Sequence, residues 1–129
     1  MRPNIILILA DDMGYGDVSS LNPDSKIHTP NIDRLATEGM AFTDAHSSSA
    51  VCTPSRAAIL TGRYPARLLM TNWTPDGRWN PANRLIEGRF VRDLPLEQFT
   101  IAEALREAGY RTISIGKWHL GGEPFSMPE

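Results

Sequence analysis

The sequence predicts an α/β fold in which a mostly parallel sheet is flanked by helices, and three observations carry that expectation. Asn4 to Ala10 is a continuous apolar run, rich in β-branched residues and too short for a helix, as a strand buried on both faces requires. Two stretches, Thr29 to Gly39 and Thr100 to Gly109, open on a capping residue and close on glycine, the punctuation of helices. Tyr110 to Gly116 then alternates polar and apolar residues like a further strand.

At 129 residues, 41% of them hydrophobic and 22% charged, the chain has the size and composition of one soluble domain. Its net charge of -2 gives no global attraction for nucleic acid or an acidic membrane surface, so neither is expected as a partner. The apolar run at the start is far too short to span a bilayer. It also makes a poor signal peptide, because Asn4 precedes it, Asp11 and Asp12 follow at once, and no small-x-small cleavage site appears. A single cysteine excludes an internal disulfide and leaves the compartment open.

Taken in order, the first strand stops at Asp11 and Asp12 and gives way to Met13-Gly14-Tyr15-Gly16-Asp17. Ligands of open α/β sheets gather at the carboxyl ends of strands, which is where this carboxylate pair falls. Adjacent carboxylates repel and need solvent or a cation to satisfy them, and as hard oxygen donors they suit Ca2+ or Mg2+. Gly14-x-Gly16 is a weak match to a dinucleotide fingerprint, since position 19 is serine and no helix follows promptly. Residues 18–28 read as loop, with a turn at Asn22-Pro23-Asp24. In the first helix Thr29 is the expected N-cap, Pro30 the first helical residue and Gly39 the stop, with Ile32, Leu35 and Ala36 on one packing face. His28 and His46 lack partners at metal-ligand spacing and read as loop or packing histidines. Met40 to Ala45 has strand character and leads into a serine-rich loop.

That loop carries Cys52 to the mouth of a second expected helix, with Thr53 as N-cap, Pro54 as first residue and Gly62 as stop. Unpaired amides and the positive end of a helix dipole favour an anion there, and Arg56 adds a permanent charge on the first turn. A lone cysteine is otherwise commonly a small buried hydrophobe. Residues 63–95 read as irregular, broken at Tyr64-Pro65, Thr74-Pro75-Asp76-Gly77, Asn80-Pro81 and Leu94-Pro95. Trp73, Trp79 and Phe90, with Arg63, Arg67, Arg78, Arg84 and Arg89, suit either a substrate groove or a solvated surface. Asn72-Trp73-Thr74 is a glycosylation sequon, a pattern too common to decide the compartment. Thr100 and Glu103 form a capping box ahead of an apolar face of Ile101, Ala104, Leu105 and Ala108. The last strand ends in Gly116-Lys117-Trp118-His119-Leu120-Gly121.

Cys52-Thr53-Pro54-Ser55-Arg56 resembles the C-x-P-S-R signature of the type I sulfatases, members of the alkaline phosphatase superfamily. Given one cysteine, chance placement of Pro, Ser and Arg at these offsets is on the order of 1 in 10⁴. Gly116 to Gly121 resembles the second signature of that family, and the resemblance runs from Asn4 to Gly121. It implies that Cys52 is oxidised to formylglycine by a formylglycine-generating enzyme. It implies further that Asp11, Asp12 and residue 52 bind a divalent cation, usually calcium, and that Arg56, Lys117 and His119 complete the catalytic group. The substrate would be a sulfated small molecule or carbohydrate, and the compartment periplasmic, secreted or lysosomal.

In the implied reaction one hydroxyl of the hydrated aldehyde attacks sulfur and displaces the alcohol, and the other loses a proton to expel sulfate. Arg56 would steady the formylglycine oxygens, Lys117 would contact sulfate, and His119 would take the proton. Calcium wants roughly six to eight oxygen ligands, and the family draws more of them from segments past residue 129. Residues 1–129 are therefore expected to be the N-terminal part of a truncated catalytic domain, binding metal weakly and turning over poorly alone. Alternatives are a phosphodiester or phosphonate ester hydrolase of the same superfamily, a non-catalytic fragment, and a thiol hydrolase pairing Cys52 with His119.

Overall fold

A computed structural model describes residues 2–73, 82, 84–85 and 88–122. The expected breaks at residues 74–77 and 80–81, and Arg78 and Trp79, lie outside the described residues. The chain divides into two compact units, Met1–His46 and Ser47–Glu129.

In the first unit, residues 4–10 run without regular structure into a 3-10 turn at Tyr15–Asp17. Asp17 holds that turn by accepting the Gly14 amide at 2.7 Å. Helix α1 spans Pro30–Glu38, with Thr29 at the N-cap position as the sequence predicts. The Thr29 hydroxyl makes no bond to the helix amides. It donates instead to Asp33 Oδ1 at 3.0 Å, and the same carboxylate accepts the Ser19 hydroxyl at 2.6 Å and the Ser20 amide at 2.9 Å. Asp33 thus ties the loop after Val18 to the first turn of α1. Gly39 ends the helix outside the left-handed region, and a Cβ there would come within 3.0 Å of the Leu35 carbonyl. His46 pairs with Asp44 at 2.8 Å, both well exposed.

In the second unit, helix α2 covers Cys52–Thr61, α3 is a single turn at Pro65–Leu68, and α4 covers Ile101–Glu107. Helix α2 packs against both α3 and α4. Ala57, Leu68, Met70, Leu94 and Leu120 form the core, with Leu60, Val91 and Trp118 packed on it. Backbone bonds Val91 N to Leu69 O at 2.6 Å and Leu94 N to Leu120 O at 2.8 Å lash the irregular segments to this core. Gly62 stops α2 at φ 65°, a left-handed position glycine occupies without a Cβ clash. Turn α3 corrects the reading of Tyr64-Pro65 as a breaker: proline's fixed φ starts a helix as readily as it ends one.

The expected capping box of α4 is present. Glu103 N reaches Thr100 Oγ1 at 3.3 Å, and Thr100 N and Oγ1 both donate to Glu103 Oε2 at 2.7 Å. No residue of α4 is fully buried, so its apolar face is only partly used.

The sheet is the point at which structure and expectation part. No strand occurs among the described residues, and the segments 4–10, 40–45 and 110–116 carry no ladder. Ile6 and Ile8 are 83% and 79% exposed, and Ile113 and Ile115 83% and 87%. An apolar run records a propensity to be buried in a sheet, but a strand exists only through the neighbour it pairs with, and that neighbour is not in its own few residues.

Two hydrogen-bonded carboxylates, Asp33 and Glu103, make stability acid-sensitive in a definite direction. The Ser19 hydroxyl, foremost, holds Asp33 below its ordinary range, and the Thr100 hydroxyl does the same for Glu103. Both therefore stabilise the folded chain fully above the unfolded carboxyl values near pH ~4, and this contribution is lost as pH falls through the lower folded values. Urea midpoints measured against pH should decline below about pH 4, and less steeply in Asp33→Asn or Glu103→Gln. At neutral pH, Thr100→Ala should cost about 1 kcal/mol, read from the same denaturation curves.

Candidate functional site

The serine-rich loop sets up the start of α2. Ser55 Oγ donates back to the Ser49 carbonyl at 2.8 Å, Ser47 Oγ reaches the same carbonyl at 2.6 Å, and Val51 N donates to Ser49 Oγ at 3.3 Å. These bonds curl residues 47–51 around the helix entrance and deliver Cys52 as the first helical residue. The N-cap is Val51, two residues earlier than the sequence predicts, and Pro54 sits third in the helix. Thr53 is correspondingly not a cap. It is 3% exposed and donates its hydroxyl to the His119 carbonyl at 2.9 Å, so a partner 66 residues away outcompetes the local amides.

Four of the six expected site residues meet in this unit. Lys117 Nζ lies 3.3 Å from Cys52 Sγ, and the Arg56 guanidinium donates to the Lys117 carbonyl. Arg56 and Thr53, three residues apart on one face of α2, thus grip the backbone on either side of Trp118. Cys52 is half-buried and free. Its sulfur bonds to Lys117 and not to His119, so the pair required by a thiol hydrolase is not made. Ammonium, helix N-terminus and guanidinium together form a positively charged mouth suited to a tetrahedral anion.

His119 takes φ 59°, one of three non-glycine residues at positive φ among those described. Histidine tolerates that region better than most residues, yet the position still costs on the order of 1 kcal/mol and persists only where surrounding bonds enforce it. Its Nδ1 is buried with no hydrogen-bond partner. The ring stands edge-on to Trp73, with centroids 6.3 Å apart. Beside it opens a cleft of about 250 Å³ lined by Thr53, Asn72, Trp73, Phe90, Arg92 and His119. Of the aromatic residues noted in the sequence, Trp73 and Phe90 reach this cleft. Arg63, Arg67, Arg84 and Arg89 are exposed and do not line it.

Asp11 and Asp12 belong to the first unit. Both are exposed, and Asp12 adopts φ 59°, so the chain turns sharply where the apolar run ends. Sequence reasoning gave Thr53 the task of a helix cap and left Trp73 between a substrate groove and a solvated surface. Neither carries a local signal, because what gives each its place is contact with His119.

A protein-family model described as Sulfatase matches residues 3–124. Over 120 residues the chain is 46% identical to human steryl-sulfatase, covering 93% of this chain and 19% of that protein. Human arylsulfatase A is 48% identical over 122 residues, 95% of this chain and 22% of its own length. Dog N-acetylgalactosamine-6-sulfatase is 43% identical over 128 residues, 98% and 23% respectively. The chain thus spans about a fifth of the length of the curated relatives it matches.

The grip of Arg56 on the Lys117 carbonyl leads to a specific expectation. Arg56→Ala should lower the unfolding free energy by about 1–2 kcal/mol, as loss of a charge-assisted hydrogen bond does. Arg56→Lys should recover little of it, because an ammonium lacks the planar fork. Chemical denaturation of the three proteins checks both.

Proposed function

The chain belongs to the sulfatase family, and from that premise we propose that the whole protein hydrolyses sulfate monoesters through residue 52. The observation that carries this reading is the Lys117 ammonium 3.3 Å from Cys52 Sγ at the mouth of α2. A formylglycine at residue 52 would carry its hydroxyls on the carbon that bears this sulfur. As a formylglycine, residue 52 supplies a hydrated aldehyde, one hydroxyl to attack sulfur and a second whose deprotonation lets sulfate leave as the carbonyl reforms.

The remaining chemistry falls to the chain's own side chains. A sulfate monoester is an anion, and an anionic centre repels a nucleophile unless fixed positive charge surrounds it. Lys117 supplies that charge beside the reacting atoms. Arg56 orients Lys117 through its backbone and adds to the field on the first turn of α2. His119 is the proton carrier, taking the proton of the second hydroxyl as sulfate departs. Asp11 and Asp12 offer exposed, adjacent, hard oxygen donors that fit Ca2+ or Mg2+. These two carboxylates would hold the cation, whose contribution when bound is Lewis-acid polarisation of a sulfate oxygen. Modification of Cys52 makes a formylglycine-generating enzyme a partner during maturation. The alcohol released is a small molecule or a sugar.

The test is hydrolysis of a chromogenic aryl sulfate by the whole protein matured in its own host, with intact mass reporting whether residue 52 carries an aldehyde. Cys52→Ala should abolish turnover, and Lys117→Ala should lower kcat/KM by ~10²-fold or more. An alkylatable thiol at residue 52 in protein that still turns over would overturn the reading, and faster cleavage of a phosphate diester would replace it with the phosphorus-directed one.

A further inference from the structure

An imidazole that moves protons is ordinarily aimed by a hydrogen bond at its second nitrogen, which settles both tautomer and ring orientation. His119 has no such bond: its Nδ1 is buried and unpartnered. Its aim therefore comes from elsewhere. Among the described residues two contacts bear on it, the Trp73 ring standing edge-on with centroids 6.3 Å apart and the backbone bond from the Thr53 hydroxyl to the His119 carbonyl at 2.9 Å.

The backbone bond is the stiffer of the two. Thr53 is buried on α2 between Cys52 and the fully buried Pro54, and its β-branched side chain has little χ1 freedom in a helix. His119 needs a clamp because it sits at φ 59°, a region most non-glycine residues leave when nothing holds them. On the other side Leu120 is fully buried and its carbonyl takes the Leu94 amide, so the loop is anchored just past His119 as well. The C-x-P-S-R pattern leaves position 53 open and gives it no task.

We propose that Thr53 is a positioning residue: its hydroxyl holds the His119 backbone in the left-handed conformation and so sets the direction of an otherwise untethered imidazole. The device spends a backbone carbonyl and leaves Nδ1 free of structural duty. Its catalytic consequence rests on the proposed role of His119 as proton carrier. Its structural consequence does not.

The experiment compares Thr53→Val, Thr53→Ala and Thr53→Ser in the whole protein, following the imidazole NMR signals of His28, His46 and His119 alongside steady-state kinetics. Intact mass verifies equal modification of residue 52 in each variant. Thr53→Val should shift or broaden the His119 signal while those of His28 and His46 stay in place. It should lower kcat by roughly 10- to 100-fold with KM little changed, as a misplaced catalytic group does. Thr53→Ser keeps the donor and should restore both readouts, and Thr53→Ala repeats the loss should valine disturb packing. A His119 signal unmoved in both Thr53→Val and Thr53→Ala overturns the proposal. A parent protein inactive on aryl sulfate overturns the sulfatase reading alone, since the His119 signal still decides the role of Thr53.

Discussion

Two side chains of α2, Thr53 and Arg56, hold the carbonyls of His119 and Lys117, and the second unit depends on this grip. The segment 117–120 has no regular structure of its own, so no ladder or helical bonding keeps it in place. It would otherwise be a surface loop of ordinary mobility. Bonded to a helix whose inner face supplies the fully buried Ala57, it becomes as fixed as the core beneath it. Leu120 continues the attachment inward. One residue thus belongs to the core while residues one and three positions before it belong to the candidate site, and packing of Leu120 bears directly on the placement of an imidazole and an ammonium.

The helix itself is unusual in how its entrance is built. Val51 caps it with no side-chain bond to offer, and the polar residues that would ordinarily cap are used otherwise. Ser49 and Ser55 shape the loop, Thr53 reaches across to His119, and the first-turn amides keep their capacity for a bound anion. A side-chain cap would occupy the donors that an anion site needs. The α4 entrance shows the contrasting case: Thr100 and Glu103 satisfy one another, and that helix serves as scaffold.

Membership of the sulfatase family implies an α/β fold, and the described residues supply its helices but no strand. The exposed isoleucines of segments 4–10 and 110–116 make the reason visible. Their pattern states that they are to be buried, but burial of a parallel strand comes from chain distant in sequence on both of its edges and both of its faces. Helices differ because each backbone bond closes within four residues, which is why Thr100, Glu103, Pro30 and Gly62 could be read from the sequence as signals.

The sequence by itself determined the chemical inventory: a cysteine at a helix mouth, Arg56 four residues on, Lys117 and His119 two apart, a pair of adjacent carboxylates, and the ends of most helices. Each of these is a matter of residue type and short spacing, which the chain carries without folding. Tertiary structure decided which of those groups touch and what serves each one. It set Lys117 rather than His119 against Cys52, took Thr53 from the cap it resembles and gave it to a carbonyl 66 residues away, and left the imidazole to be aimed through its backbone. The physical reason is that a hydroxyl bonds to whichever acceptor burial brings to it, and burial is settled by the whole fold.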